Sequence, residues 1–542
     1  MGNVVSIFKN NSMTMAKAVH MKSKYLKLAV HSVWLFALFM CLFTFIKPEK
    51  AAAAGCGPTQ TFKTVWKTDN AGTTTSTQIR IPTTGTGYSY RVDVNGDGDF
   101  ADTVGSWNET TNRTGTVTID FAAPGTYPIA ICGTFPRIFI NNGGDKDKIL
   151  TVTQWGDNAW TSMASAFLAA SNLNVTATDT PNLTGATSLS AMFRDATSLI
   201  GNSSFNNWNT STITDMSAMF RGAVSFNQPL SSWNTSNVTN INHIFYGASS
   251  FNQDINNWDV SKVTNIQGVF RDAPQFNKPL NNWNTGAVTT MHSVFWGATA
   301  FNQPIGTWNT SNVTTMNHMF RQASNFNQPI GDWDVSKVTS MERMFAAASN
   351  SADPTPTITL SIVPMAFNQD LSGWDTSLVT NMYAMFSSDI DSQVTYYQSI
   401  GYTTVNVVGD KLIRHPFNRP LGSWQISNVT NMIGMLSGTS LSVPNYDATL
   451  LGWSTQNVQP NIVLGVYKLA YCASANARKS LIDTYNWQIQ GDAESCPAPG
   501  AVPGVPNTGI RTHQIRNVAA VFVAAAAILS SVYICVRHKA TP

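Results

Sequence analysis

The middle of the chain is built on one repeated stretch, Phe301-Asn-Gln-Pro-Ile-Gly-Thr-Trp308-Asn-Thr-Ser-Asn-Val313-Thr-Thr-Met316-Asn-His-Met319-Phe320-Arg-Gln-Ala323. Its Trp recurs every 25 residues, at Trp208, Trp233, Trp258, Trp283, Trp308 and Trp333. Two further units centre on Trp374 and Trp424, after insertions near residues 350–365 and 387–414, so about nine units occupy roughly 185–440. A fixed period of this length indicates supersecondary units that stack on one another.

The spacing of apolar residues predicts the conformation of one unit. Met316, Phe320 and Ala323 lie at i, i+4 and i+7, which favours one face of a short helix. The segment from Ile305 to Val313 favours a short strand or extended turn. The predicted fold class is therefore a mixed α/β repeat solenoid over residues 151–440, with a short strand and a short helix in each 25-residue coil. Because the Trp positions keep the phase of the Phe and Met positions, a buried ladder is favoured over an exposed sugar-stacking strip.

Residues that vary between units are the candidates for recognition. We assign His243, Gln267, His292, His318 and Glu342 to one helical position, directly after the Met or Ile position, and expect them to be solvated. A row of metal-binding histidines is the weaker alternative. Recognition is thus expected on the variable side of the units, while the repeated positions build the core.

The repeat motif, Asn-Trp-Asn/Asp-Thr/Val-Ser-x-Val-Thr-x-Met-x-x-Met-Phe, resembles that of BspA-like bacterial surface proteins, also described as mycoplasma lipoprotein-associated repeats. The lead-in Thr153-Gln-Trp155-Gly and a C-terminal cap over residues 441–496 match as well, so the resemblance covers roughly residues 60–496. It implies a leucine-rich-repeat-like solenoid used on microbial surfaces for adhesion or binding. The ligand varies within such families and is not implied.

Residues 55–150 have a different composition, rich in Thr and Gly. Alternating runs such as Gln78-Ile-Arg-Ile81 and Thr116-Val-Thr-Ile-Asp120 predict a small β-rich domain. The same order occurs as the leader of BspA-like proteins, which implies a cap that packs on the first coil.

One stretch of this domain clusters oxygen ligands at alternate positions: Asp93, Asn95, Asp97, Asp99 and Asp102. Alternate oxygen ligands around a Gly are what Ca²⁺ loops use. The full EF-hand pattern is excluded, because it requires Glu at the position of Val104. A looser Ca²⁺ site and a plain Asp/Asn/Gly hairpin turn both remain open.

The N-terminus has the parts of a secretory signal peptide over residues 1–54. A Lys-rich start is followed by an apolar run from Leu28 to Ile46 and then by Ala51-Ala-Ala-Ala54. An uncleaved membrane anchor is the alternative, because the apolar run is long. Either interpretation predicts export of the protein body.

The C-terminus combines a Pro/Gly linker (497–509), an apolar run (518–536) and a basic tail (537–542). The run is long enough to span a bilayer, and the basic residues predict a cytoplasmic tail. The linker ends in a sorting-like motif, Val505, Pro506, Asn507, Thr508 and Gly509. This order resembles the cell-wall sorting signal of bacterial surface proteins, although Val505 replaces the usual Leu. It implies that a sortase-like transpeptidase cuts after Thr508 and joins the body to the cell wall. A plain single-pass anchor is the alternative.

Four cysteines lie outside the two apolar runs: Cys56, Cys132, Cys472 and Cys496. Their number fits an oxidising compartment. Clustering along the sequence favours the pairs Cys56–Cys132 and Cys472–Cys496, although four cysteines allow three pairings. None has the spacing of a zinc site.

The charge of the chain is distributed unevenly. The formal net charge is +3, whereas residues 1–54 carry +6 and residues 509–542 carry +4, which leaves −7 for residues 55–508. Nucleic acid and anionic membranes are therefore excluded as expected partners of the exported part.

The sequence contains no pattern that predicts catalysis. Glu109, Glu342 and Glu494 are scattered, and neither a Gly-x-Ser-x-Gly motif nor a Gly-Lys-Ser/Thr loop is present. Asp259 and Asp334 stand where other units have Asn, which indicates a role in turns. We therefore expect no enzyme and no cofactor other than the possible Ca²⁺.

The predicted function is that of a surface-displayed binding or adhesion protein for a protein or glycan on a host or neighbouring cell. Long insertions commonly carry function, so Tyr396, Tyr397 and Tyr402 are candidate ligand contacts. A structural spacer or surface-layer component is the alternative, and a repeat-built glycan-active enzyme is a weaker one.

Overall fold

The computed structural model of the chain describes residues 56–57, 59–351, 357–388, 404–408 and 413–496. Residues up to Ala493 form one structural unit and those from Glu494 a second. The predicted signal peptide, the sorting-like motif and the apolar run 518–536 lie outside the described residues. In the described ranges, none of the helices has the length and apolar character that crossing a membrane requires.

A five-stranded sheet organises the N-terminal segment, with β1 at its centre. The strand order is β3-β7-β1-β8-β9. Alternate side chains of β1 are buried, as expected for a sheet with one face on the core. The five strands are β1 (Phe62–Lys67), β3 (Ser89–Asp93), β7 (Thr126–Thr134), β8 (Ile149–Gln154) and β9 (Asn174–Val175). Two small antiparallel pairs accompany it: β2 (Gln78–Ile81) with β6 (Val117–Asp120), and β4 (Thr103–Val104) with β5 (Trp107–Asn108).

This β-rich segment packs directly on the first repeats. Strand β9 pairs in parallel with β8 and so continues the sheet into the repeat region. Phe62 meets Trp160 edge to face at 5.1 Å, and Trp155 meets Trp208 in the same way at 5.5 Å. One hydrophobic core therefore runs from the β-rich segment through the repeats.

The backbone of each repeat alternates between two kinds of hydrogen bond. The N–H groups of Met316, His318 and Phe320 donate to carbonyls of the following repeat at 2.8–3.1 Å. The N–H groups of Met319 and Arg321 donate instead to carbonyls three residues earlier in their own repeat, at 3.1–3.2 Å. Each repeat is thus closed by its own turns and tied to the next repeat at every second residue.

These turns stand where a short helix was expected. Every repeat has a left-handed backbone at one fixed position, with φ between 50° and 65°: Ala191, Ala218, His243, Gly268, Ser293, His318, Arg343, Ala384 and Gly434. Most repeats have a second left-handed residue four positions later, as at Asp195, Gly222 and Gln322. A left-handed residue cannot continue a right-handed helix, so the i, i+4, i+7 pattern forms consecutive turns. The expected strand is also displaced, because the parallel bridge of this unit lies at Thr315 and not between Ile305 and Val313.

The same turn pattern begins before the first unit recognised in the sequence. Ser165 and Ala169 both have left-handed backbones. Their N–H groups donate to the carbonyls of Ser190 and Arg194. The stack of repeats therefore includes a coil at 163–170, which lies within the predicted solenoid range of 151–440 but before the units counted over roughly 185–440.

The tryptophans form a buried column, which confirms the interpretation of the Trp positions as core. Trp308 is 3% exposed. Its ring lies parallel to those of Trp283 and Trp333, with centroids 6.2 and 6.5 Å away. Its indole N–H donates to the carbonyl of Leu280 at 2.9 Å. The Trp side chain therefore buries its apolar ring in the core and pairs its polar N–H with a backbone carbonyl.

A second column uses asparagine. The side-chain oxygen of Asn252 accepts the backbone N–H of Asn277, Asn277 does the same for Asn302, and Asn302 for Asn327, each at 3.0 Å. The bond passes from Asn327 to Asn368 across the first insertion at 2.9 Å. Side-chain amides thus satisfy a backbone donor that the turns leave unpaired.

The two insertions associate with each other. Strands β10 (Ala348–Ser351) and β11 (Thr357–Ile362) are antiparallel, and β12 (Thr404–Val408) adds to β11 in parallel. The irregularity expected near 350–365 and 387–414 therefore includes a small sheet at the side of the repeats.

The C-terminal segment closes the stack with regular helices. Helix α1 (Val443–Trp453) and helix α2 (Ala475–Tyr485) accompany a two-stranded sheet of β13 (Val463–Tyr471) and β14 (Gln488–Glu494). The indole N–H of Trp453 donates to the carbonyl of Leu421 at 2.9 Å, so the Trp column continues into α1.

The left-handed position predicts opposite effects of one substitution at two sites. Ala218→Gly removes the cost of a left-handed Ala, so we expect the free energy of unfolding to rise by about 0.5–1 kcal/mol. Ala223→Gly, at a fully buried position with ordinary φ, should lower it by about 1 kcal/mol. Chemical unfolding measures both values. A loss of stability in Ala218→Gly would contradict the assigned backbone.

Candidate functional site

Five side chains form an alternating column on the turn side of the repeats. These residues, called the arginine–aromatic column, are Arg221, Tyr246, Arg271, Trp296 and Arg321. Each directly follows a phenylalanine of the core ladder, so the 25-residue period places one above the next. Because Phe points inward, the following side chain lies on the outer side of the turn.

The members of the column are in cation–π contact. The guanidinium carbons of Arg221 and Arg271 lie 4.6 and 4.7 Å from the ring centre of Tyr246. Arg271 and Arg321 lie 3.7 and 4.5 Å from that of Trp296. Contacts of this kind contribute about 0.5–1 kcal/mol at exposed sites and about 2 kcal/mol when desolvated. The column holds its cations in fixed positions.

The cations differ in exposure and pairing. Arg271 is 26% exposed in its side chain and pairs with Asp272 at 3.4 Å. Arg321 is 1% exposed, whereas Arg221 is intermediate. With the guanidinium faces against rings, the N–H edges of Arg221 and Arg271 are the groups that can reach a ligand. Planar N–H edges suit the two oxygens of a carboxylate, sulfate or phosphate.

The histidines do not form the single solvated row that we expected. Gln267, His292 and Glu342 keep one 25-residue phase, while His243 and His318 belong to the next, left-handed position. His318 is 14% exposed in its side chain. It stacks on Trp296, with centroids 5.1 Å apart. The His318 side chain lies against Trp296 of the column, so little of it is exposed to solvent.

Burial and neighbouring arginines control the charge of His318. Burial, and then Arg321 and Arg343, lower the pKa of His318 to about 2. The carboxylate of Glu342 lies 3.8 Å from its Nε2 and favours the charged form, but this attraction is outweighed. Burial also lowers the pKa values of His243 and His292. Near neutral pH the cations of the turn side are therefore arginines and not histidines, and Arg271 among them is paired with Asp272.

A second candidate region is the acidic loop between β3 and β4. The carboxylate of Asp93 accepts the backbone N–H groups of Asn95, Gly96 and Gly98 at 2.6–3.1 Å. Gly96 and Gly98 have φ of 73° and 90°, which glycine adopts without strain. Among the described residues, one group of three or more potential metal ligands lies close together, namely Asp97, Asp99 and Asp102. Asp93 orders the loop, while Asn95 donates to Asp97 at 3.2 Å.

Glu109 also contacts this loop, although nothing in the sequence pattern indicates it. Glu109 directly follows β5 and is fully buried. Its Oε1 accepts the N–H of Val94 at 2.8 Å. Burial, followed among the nearby charges by Asp93, Asp97 and Asp102, raises the pKa of Glu109 to about 7. The hairpin that brings Glu109 back could not be read from spacing alone.

The remaining candidate residues fall in different places. The structure has a disulfide between Cys56 and Cys132, whose Cα atoms are 5.4 Å apart. Cys472 and Cys496 are both disulfide-bonded. The candidate contacts Tyr396, Tyr397 and Tyr402 lie outside the described residues, as does the motif from Val505 to Gly509.

The aspartates that follow tryptophan serve the turns. Asp259 and Asp334 accept the backbone N–H groups of Ser261 and Ser336 at 2.9 and 3.0 Å, as Asn309 does for Ser311 at 3.1 Å. Hydrogen bonds from the hydroxyls of Ser261 and Ser336, followed by these backbone hydrogen bonds, lower the pKa values of Asp259 and Asp334. Asp and Asn are interchangeable here because either side-chain oxygen can accept this bond.

These observations define a protein of stacked 25-residue repeats, with a β-rich segment packed on the first of them. The repeats match the family described as Mycoplasma protein of unknown function, DUF285, over residues 161–283, 267–356 and 362–462. These matches cover more than half of the chain, and the chain belongs to this family. Neither a curated protein nor a solved structure matches the chain.

The buried histidine predicts a pH dependence of stability. Because its folded pKa is lowered, His318 protonates in the unfolded chain below about pH 6.5 but stays neutral in the folded one. The contribution of neutral His318 to the free energy of unfolding is therefore fully present above pH 6.5 and is lost as the pH falls towards 2. Between pH 7 and pH 5 the parent should lose up to about 2 kcal/mol more than His318→Gln.

Chemical unfolding at a series of pH values measures this difference. Above pH 7 the two proteins should show parallel pH dependence, which serves as an internal control. Parallel curves down to pH 5 would mean that His318 protonates readily in the folded protein.

Proposed function

We propose that the protein is a surface-displayed binding protein whose repeats hold a fixed binding face. Its membership in a repeat family, the export-type N-terminus and the sorting-like C-terminus support this role. The repeats bury their Trp, Phe and Met positions in one core, which leaves the turn side to differ from repeat to repeat. The protein acts by binding and not by catalysis.

The observation that carries the proposal is the arginine–aromatic column. The column is not needed to fill the core, because Phe and Trp ladders already do so. It places Arg221 and Arg271 against the same ring, that of Tyr246, in an exported part whose net charge is negative. A local positive row on an acidic protein selects a ligand by local contacts more than by net charge.

The partner that fits this face is a glycan or protein segment with repeated carboxylate or sulfate groups. Each guanidinium edge can donate two parallel hydrogen bonds to such a group. Because the ring faces of Tyr246 and Trp296 are occupied by arginine, stacking of neutral sugars on them is not the basis of binding. An inert spacer would show no such preference.

The proposed attachment follows the order of the C-terminal residues. Residues 518–536 span the membrane during export, and a sortase-like transpeptidase joins Thr508 to the cell wall. Detection in a cell-wall digest of a peptide that ends at Thr508 is the expected result. Recovery of the protein only with its apolar run 518–536 attached would support the single-pass anchor instead.

A matched pair of charge variants tests the binding face. Arg221→Gln with Arg271→Gln should weaken binding to uronic-acid or sulfated glycans at least about tenfold, because a hydrogen bond to a charged group contributes about 1.5–3 kcal/mol. The control, Lys262→Gln with Lys337→Gln, removes the same charge from exposed lysines that bond to Asn237 and Asn312 elsewhere on the repeats.

The measurement is binding of the full-length protein in mild detergent to an array of anionic and neutral glycans and acidic peptides at physiological salt. An equal loss of affinity in both double variants would mean that binding depends on net charge alone. The absence of any salt-resistant binding by the parent would favour the spacer.

A further inference from the structure

Several carboxylates are buried at the base of the acidic loop, and one of them, Glu109, has a hydrogen-bond donor on only one of its two oxygens. Asp93 is 1% exposed, Asp99 is 4% exposed and Glu109 is fully buried. An ionised carboxylate is costly to bury unless a cation or several hydrogen-bond donors compensate it. Asp93 has its donors in the loop N–H groups, but Glu109 has a donor on Oε1 alone.

Glu109 is the independent sign that a ligand belongs here. Its Oε2 is buried and has no hydrogen-bond partner in the described part of the chain. The residue comes from outside the loop, and its N–H donates to the carbonyl of Asp102 at 3.0 Å. The β4–β5 hairpin, in which Thr103 pairs with Asn108, reverses the chain directly after the loop and so returns Glu109 to it.

The loop resembles a twelve-residue calcium loop that lacks its last ligand. Counting from Asp93 as the first position, Asn95 and Asp97 fall at the third and fifth, and the position of the bidentate Glu is occupied by Val104. We propose that the acidic loop binds Ca²⁺ and that Glu109, carried by the β4–β5 hairpin, supplies the carboxylate missing at Val104.

The spacing of the oxygen atoms fits one ion. Carboxylate oxygens of Asp97, Asp99 and Asp102 all lie within 4.8 Å of one another. Ca²⁺ binds oxygen at 2.3–2.6 Å, so two ligands on opposite sides of one ion are at most about 5 Å apart. These three carboxylates can therefore share a single cation, with Asp93 ordering the loop around it. Glu109 lies outside this group of three, so the proposal requires its carboxylate to move towards the ion when Ca²⁺ binds.

The type and number of the ligand atoms favour Ca²⁺ over Zn²⁺ and Mg²⁺. All candidate ligands are oxygens, whereas zinc prefers Cys and His. Several carboxylates on a loop give the high and adaptable coordination number of Ca²⁺, while Mg²⁺ demands six ligands at shorter, near-ideal distances.

The loop is held in place independently of an ion. Phe100 is 1% exposed and packs in a cluster with Cys56, Ala130 and Cys132, beside the Cys56–Cys132 disulfide. The proposed ion would act on a preformed loop and offset the repulsion among its carboxylates. Because the β-rich segment packs on the first repeats, the effect of Ca²⁺ should appear in the stability of the β-rich segment.

The experiment uses the full-length protein with Ca²⁺ as the probe, added as CaCl₂ after removal of divalent ions with a chelator. Calorimetry should detect one bound Ca²⁺ per chain, and the melting temperature should rise by several degrees. Mg²⁺ at the same concentration should give a smaller shift. Absence of binding and of any shift would overturn the proposal.

Glu109→Gln separates ion binding from a purely structural role. It keeps the size of the side chain and its hydrogen bond to Val94 but removes the charge, so Ca²⁺ affinity should fall at least about tenfold. Without Ca²⁺ the variant should be at least as stable as the parent, because a buried negative charge is removed. The control Asp157→Asn removes an exposed charge and should bind Ca²⁺ like the parent.

The remaining outcomes also decide the matter. Unchanged Ca²⁺ affinity in Glu109→Gln would exclude Glu109 as a ligand. An equal loss of stability with and without Ca²⁺ would make it a structural residue. Asp97→Asn, at an exposed position, provides a second variant that should fold and should lose Ca²⁺ binding.

Discussion

The repeats depend on one backbone constraint, the alternation of hydrogen-bond partners along each turn. Every second N–H group, as at Met316 and His318, is committed to the following repeat, and those between are committed to their own turn. This arrangement requires a left-handed residue at a fixed position of each unit. It also fixes the number of residues between corresponding positions of neighbouring units. The Trp, Phe and Asn columns follow from it, because identical positions are brought into register.

The same constraint explains where the chain tolerates extra residues. The ladder passes from Asn327 to Asn368 and from Thr380 to Thr430 without losing its geometry, although both steps exceed the repeat length. The additional residues leave the repeat after Ala347 and Ser388, and their strands β10, β11 and β12 pair with one another. The insertions therefore satisfy some of their backbone hydrogen-bonding groups among themselves, and the hydrogen bonds between the repeats stay intact.

Much of this architecture was accessible from the sequence, and the reasons for the exceptions are physical. The period of Trp308 and Phe320 identified the units and the buried Trp column, because burial in identical environments preserves residue type. The turns were missed because the i, i+4, i+7 spacing of Met316, Phe320 and Ala323 is shared by a helix and by consecutive turns that place every third or fourth residue inward. Nothing in the spacing reveals the sign of φ at His318. For the candidate sites, the alternation of Arg221, Tyr246 and Arg271 was visible in the sequence, but Glu109 becomes part of the acidic loop only through a hairpin.

The fixed unit length has a consequence for how such a chain changes over generations. Because every repeat offers its neighbours the same set of donors, acceptors and rings, recombination between two copies of the coding repeat joins surfaces that already match. A protein gains or loses whole units of 25 residues with its interior intact, and with each unit it gains or loses one position of the outer column. Length variation and surface variation are therefore inherited together.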